Sequence, residues 1–231
     1  LGLGWSSNYT AFLDIENLFV RAILPSGREL YFNLNFDDTF RPVGDCTLEW
    51  AGGEFLLKNT SDGTSYAFTK EGDLARIDYL NGNTVQFSYT GDQLTEISNA
   101  SGSLLLEYTG GHISRITDST GRSITLTYDG DYLSQVDNPD GNSFSYTYED
   151  GCLTEVSNLK GEVYVQNVYD SQGRVVHQEV ANMVYSTSRM IRTTGSIPAQ
   201  VQTATCWKST TMSWDGLPGA QMRRDCPHHL Q

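Results

Sequence analysis

The sequence predicts an all-β fold: a repetitive antiparallel β-hairpin ribbon forming a curved or spiralling open sheet. Three observations carry this. Tyr89, Tyr108, Tyr128, Tyr148 and Tyr169 recur at intervals of 19, 20, 20 and 21 residues, and Gly82, Gly102, Gly121, Gly141 and Gly161 run in step at 20, 19, 20 and 20. The stretches leading to the tyrosines alternate apolar with small polar side chains. Turn-forming Gly, Asp and Asn stand at both ends. A fixed period near 20 residues marks a repeat architecture.

Residues 140–156 show what one repeat encodes. Asp140-Gly141-Asn142 is turn chemistry, with Gly supplying positive φ and the Asx side chains bonding nearby backbone. Residues 143–148 then alternate, placing Phe144, Tyr146 and Tyr148 on one face and small hydroxyl residues on the other. Val85, Phe87 and Tyr89 alternate likewise, as do Ile124, Leu126 and Tyr128. Glu149-Asp150-Gly151 turns the chain into a second short strand carrying Leu153 and Val156. The unit is a β-hairpin in series. Leu153 and Val156 are three apart, which a flat strand sends to opposite faces. A bulge or a strong local twist would bring both inward, so an irregularity is expected near Thr154-Glu155 and at its equivalents. A lone hairpin is marginal in water, so successive units must pair edge to edge and share a core.

In chain order, residues 1–65 read as a divergent β-hairpin region leading into the repeats, with a small separate β-domain as the other reading. Strands are expected within 13–24, a turn at Pro25-Ser26-Gly27-Arg28, and a return through Glu29-Leu30-Tyr31-Phe32. Residues 35–45 are Pro-interrupted loop, and 47–58 form a hairpin turning at Gly52-Gly53. Residues 66–182 hold the repeats. The first copy, from Phe68, and the last, from Tyr169, each carry one extra residue before Leu74 and Val175. Residues 183–231 lose every period, hold 12 Ser and Thr in 49 residues, and are unassigned. A poorly ordered tail, another module or a reading-frame change are the readings open there.

The formal charge of −13 argues against nucleic acid or an anionic membrane as a partner. It is uneven: residues 1–182 carry 26 acids and 10 bases, residues 183–231 carry 2 and 5. No apolar run approaches the about 18 residues of a membrane span. The chain opens on Leu1 without a signal segment and is expected to be a piece of a longer polypeptide. Cys46, Cys152, Cys206 and Cys226 are too few and scattered for a disulfide scaffold. Glycosylation triplets at Asn8, Asn59 and Asn99 carry no weight in so Ser/Thr-rich a chain.

Chemistry is sparse. No nucleophile elbow, zinc-protease helix or phosphate-cradling loop is present. His112 and His177 read as surface residues. Cys206 and Cys226-Pro227-His228-His229 offer zinc ligand types without a usual spacing. The Asp-rich turns 129–131 and 137–142 do not build a calcium loop, and acids recurring with the repeat are explained by turns rather than by paired glycosidase carboxylates. Catalytic, cofactor-binding and metal-ligating residues are therefore expected to be none. The tyrosines are expected inward, as core and rung-to-rung stacking, because they share parity with Val85, Leu126 and Phe144.

The pattern Tyr-(Asp/Thr/Glu)-x-Gly-x-Leu-x-x-Val followed by Asp-x-x-Gly-(Asn/Arg) resembles the Rhs, or YD-repeat, family, over about residues 60–180. The name-giving pair stands at Tyr128-Asp129 and Tyr169-Asp170, relaxed to Tyr89-Thr90, Tyr108-Thr109 and Tyr148-Glu149. The Gly-Arg or Gly-Asn step stands at Gly121-Arg122, Gly82-Asn83 and Gly141-Asn142. The opening Gly2-Leu3-Gly4-Trp5-Ser6 resembles the segment that leads into such repeats. The resemblance implies a segment of a YD-repeat shell, teneurin-like in its repeats, from a secreted or cell-surface protein. Its partners would be further repeats and a C-terminal cargo domain, a toxin in many bacterial members. It supplies no catalytic residue, and the family's Asp-Pro-x-Gly cleavage signature has no match here. A module binding cell-surface carbohydrate is the alternative, and an enzyme the least favoured reading.

Overall fold

The computed structural model describes residues 1–7, 9–158, 160–181, 183–186 and 220–221. These hold twenty strands and no helix. The first four are β1 (Ser6–Ser7), β2 (Phe12–Ile15), β3 (Phe19–Ile23) and β4 (Glu29–Asn33). Then come β5 (Cys46–Ala51), β6 (Glu54–Asn59), β7 (Ser65–Phe68), β8 (Leu74–Asp78), β9 (Thr84–Thr90), β10 (Gln93–Asn99), β11 (Gly102–Thr109) and β12 (His112–Asp118). The series continues with β13 (Ser123–Asp129), β14 (Tyr132–Asp137), β15 (Ser143–Glu149), β16 (Cys152–Asn158), β17 (Val163–Tyr169), β18 (Val175–Val180), β19 (Met183–Ser186) and β20 (Ala220–Gln221). The hydrogen-bonding order of the large sheet runs from β19 to β5 with every strand beside its sequence neighbour. This is the open antiparallel ribbon that the twenty-residue rhythm predicts.

The bulge is present and repeats. Tyr148 pairs with Leu153 but Thr147 pairs with Glu155, so Thr154 is the extra residue. Ala75, Thr95, Ser134 and Val176 are extra in the same way. The consequence is the one the sequence requires: Leu153 and Val156 are both buried, as are Leu133 with Val136 and Leu74 with Ile77. One residue absorbed without pairing converts a spacing of three into a common face.

The chain divides into two compact units. One comprises Tyr9–Glu107 and Ile116–Arg122. Within it β2, β3 and β4 form a three-stranded sheet of their own, and β5 and β6 turn at Gly52-Gly53 as expected. Val20 and Ala22 alternate with Arg21, and Leu30 and Phe32 with Glu29 and Tyr31. Their inner members pack with Cys46, Leu48, Leu57, Phe68, Leu74, Ile77, Val85 and Phe87 in one core. Two sheets laid face to face thus bury the ribbon's apolar side. The outer face of the small sheet is mixed: Arg21 is bonded to Asp14 at 2.8 Å, and Phe19 lies beside Tyr31 with ring centroids 6.0 Å apart. Gly72 joins the layers. Leu13 N donates to its carbonyl at 2.8 Å, and Phe12 bridges to Asp73.

The other unit comprises Leu1–Asn8, Tyr108–Arg115 and Ser123–Gln231. Its apolar face carries Leu126, Leu133, Val136, Tyr146, Leu153, Val156 and Val175. The rule changes at the hairpin of β17 and β18. Where other rungs place an apolar cross-strand pair such as Leu126 with Val136 or Tyr146 with Val156, this one pairs Asn167 with Gln178. The two amides are 4% and 8% exposed, and Gln178 Nε2 donates to Asn167 Oδ1 at 2.8 Å. Buried amides are tolerated because they satisfy each other and the backbone. Cys46 is a buried free thiol, while Cys152 is disulfide-bonded. Of residues 183–231, only β19 and β20 are described, β20 pairing with β1. The expectation of a poorly ordered tail lies outside the described residues.

Candidate functional site

The tyrosines that set the period lie half-buried on their strands. The phenols of Tyr89, Tyr128, Tyr148 and Tyr169 each reach back one hairpin. Tyr89 donates to the Leu74 carbonyl at 3.0 Å, Tyr128 to Ile113 at 2.9 Å, Tyr148 to Leu133 at 3.0 Å and Tyr169 to Leu153 at 2.6 Å. The acceptors Leu74, Leu133 and Leu153 are the residues at which a bulge begins, and the phenol gives each carbonyl a partner. The rungs are therefore tied by phenol-to-backbone hydrogen bonds, where the sequence suggested ring stacking. The rings are half-buried, and burial pushes the Tyr128 hydroxyl up to about 12. Phe68 stands where the first tyrosine would. Fifteen residues before it lies Gly53, in the turn of a hairpin that pairs without a bulge, so a hydroxyl there would have no such carbonyl to meet.

The opposite face shows a second device that the sequence reading missed. The hydroxyls of the bulge residues Thr95, Ser134 and Thr154 each donate at 3.1 Å to the carbonyls of Ser88, Thr127 and Thr147. A Ser or Thr directly after Leu94, Leu133 and Leu153 was the available signal. Val176 occupies the same position without a hydroxyl and, with Val168, leaves apolar surface exposed. Val176→Thr is accordingly expected to stabilise the protein by about 0.5–1.5 kcal/mol, read as a rise in the denaturation midpoint. A fall would show that this carbonyl is already satisfied.

The turn acids do more than sit in solvent. Asp118 Oδ1 accepts from Thr120 Oγ1 at 2.7 Å, Thr120 N at 2.9 Å and Arg122 N at 3.0 Å, while Oδ2 takes the Arg122 guanidinium at 2.7 Å. Asp170 repeats this with Gln172 and Arg174. This explains the Asp-x-x-Gly-Arg step: the carboxylate closes the turn and the Arg forks onto it. The Thr120 hydroxyl, then the Arg122 and Thr120 donors, hold Asp118 well below the usual carboxylate range. The Arg174 backbone N–H and guanidinium lower Asp170. Depressed values mean that the stabilisation is complete above the unfolded value of about 3.9 and is lost as pH falls through the folded one. In a side-chain carboxyl NMR titration both should titrate below that reference, and ordinary midpoints would refute the assignment.

His112 is not a simple surface residue. Its ring stacks on Tyr128 at 4.7 Å, and Nε2 lies 3.1 Å from Asp131 Oδ1. His177 lies 3.1 Å from Glu179 on the outer side of β18. Asp137 accepts from Ser143 Oγ at 2.6 Å and Gln135 Nε2 at 2.7 Å. Among the described residues no group of three or more His, Cys, Asp or Glu could hold a metal ion, and no helix is long and apolar enough to cross a membrane. Cys206, Cys226, His228 and His229 lie outside the described residues.

The N-terminal segment also lies on the tyrosine face. Trp5 Nε1 donates to Tyr148 OH at 2.9 Å, and its ring meets Tyr146 edge-on at 4.9 Å. Leu3 N donates to the Asp131 carbonyl at 2.8 Å. Sequence spacing alone could not place Trp5 there, since 143 residues separate it from Tyr148.

No protein-family model and no curated protein sequence matches the chain. Among solved structures it is similar to a chain of the Photorhabdus luminescens Tc holotoxin pore, at a TM-score of 0.34 and 13% identity. The match covers 69% of this chain and 13% of that one.

Proposed function

We propose that this chain is a structural wall segment of an Rhs/YD-repeat β-shell, from a secreted or surface-exposed bacterial protein that encapsulates or presents a C-terminal toxin domain. The observation that supports this reading is the use that the repeated hairpins make of their characteristic residues. The leucine and valine of the bulge form the inner face, the phenol bonds the preceding hairpin, and the turn aspartate closes its own turn. Groups committed in this way build a wall, which supports a structural rather than an enzymatic role. The partners are further repeats and the cargo domain of the parent polypeptide.

The carbohydrate-binding alternative needs a repeated strip of outward aromatics. The period tyrosines do not form one, because their rings are half-buried and their hydroxyls bond the backbone. Protease protection in the full-length parent tests the proposal. The C-terminal domain should resist cleavage in the intact protein and become susceptible when the wall is opened by substitution at Gly72. Equal susceptibility in both would overturn it, and glycan-array binding lost with Trp50→Ala would favour the sugar reading.

A further inference from the structure

The row of phenols restricts what can bind to it. A phenol has one proton to donate. In Tyr128, Tyr148 and Tyr169 that proton is directed at a backbone carbonyl. What remains on each oxygen is acceptor capacity, so a ligand of this face must bring a donor. The surroundings are apolar, with Leu126, Leu133, Leu153 and Val156 buried and Val156 the cross-strand partner of Tyr146, which disfavours a charged ammonium. A neutral N–H on a flat aromatic ring meets both conditions, and indole supplies one with no acceptor nitrogen to leave unpaired, as neutral imidazole would.

Trp5 fills the position in that way. Its N–H points at Tyr148 OH, and its ring stands at 71° to Tyr146. The residues before it fit the same surface. Gly2 has φ +87, and a Cβ there would lie 2.8 Å from the Asp131 carbonyl and 3.0 Å from the Tyr128 ring. Only glycine allows that approach, while Leu3 N anchors the backbone to Asp131. The contact is thus selective at two points, a glycine and an indole three residues later.

We propose that Tyr146 and Tyr148, with Tyr128 and Asp131, form a recognition site for a glycine-flanked, indole-bearing segment. Residues 2–5 of the same chain occupy it here, and the same segment supplied in trans takes their place when Trp5 is removed. The proposal stands whether or not the ribbon encloses a cargo.

The test uses the full-length chain carrying Trp5→Ala and, as probe, an acetylated peptide with the sequence of residues 1–8, followed by calorimetry. The variant should bind the peptide at least about tenfold more tightly than the wild type, whose site is filled. Adding Tyr148→Phe should weaken binding by about tenfold, the worth of one lost hydrogen bond. A peptide with Phe in place of Trp should lose a similar factor. A folded Trp5→Ala chain that binds no better than wild type would overturn the site, as would equal binding of the Trp and Phe peptides. Should Trp5→Ala fail to fold, Trp5→Phe keeps the ring and removes the N–H. That variant must then take up the Trp peptide better than wild type does, or the proposal fails.

Discussion

Replacing Phe68 with Ala is expected to lower stability by about 3–5 kcal/mol. Its side chain has no solvent exposure. It pairs with Phe55 on one side and Leu74 on the other, and it belongs to the core shared with the three-stranded sheet. Neighbours held in two hydrogen-bonded sheets cannot collapse into the space a phenyl ring leaves, so both the transfer and the cavity contributions apply. Ser88→Ala, on the outer face of the same unit, is the matched control and should change stability by under about 0.5 kcal/mol. Chemical denaturation reads both. A loss below about 1 kcal/mol for Phe68→Ala would mean that the two sheets do not share a tightly packed core.

The second large effect is expected at Gly72. Its φ is +97, and a Cβ there would stand 2.2 Å from the Leu13 carbonyl oxygen. That oxygen is backbone and cannot swing aside. Its strand is also tied to Gly72 through Leu13 N. Ala must adopt a left-handed backbone, at about 1–2 kcal/mol, and must force the strands apart, at about 1–3 kcal/mol more. Gly72→Ala should therefore destabilise far more than Gly82→Ala, where φ is +83 but nothing lies within 4 Å of the added carbon. The difference between the two isolates the close approach from the backbone conformation. Equal losses would show that β2 does not pack against this turn.

The elements were legible where local physics sets them. The hairpin turn at Gly52-Gly53, the return of β4 after Pro25-Ser26-Gly27-Arg28, and the bulge after each inward leucine all follow from alternation and turn chemistry within about twenty residues. An irregularity was readable because Leu153 and Val156 cannot share a face of a flat strand; that it is a bulge rather than a strong twist is what the pairing shows. The roles of the tyrosine hydroxyls were not legible. Alternation says which face Tyr148 occupies, yet its oxygen meets a carbonyl fifteen residues earlier that only the bulged register exposes. The same holds for His112, whose stacking on Tyr128 depends on the pairing of neighbouring hairpins. The Asn167 and Gln178 pair occupies inward positions that pattern alone reserves for apolar residues.

What the chain determined by itself is the ribbon: a periodic alternation broken by glycine turns can bury its oily side only as hairpins joined in order, because each side chain's face follows from counting along the strand. What only the tertiary structure decided is what covers that side. The three-stranded sheet over β5–β9 and the Trp5 segment on the tyrosine row are contacts between residues tens to over a hundred positions apart. Packing of this kind depends on shape and on which backbone groups remain unsatisfied, and neither is written in any local spacing.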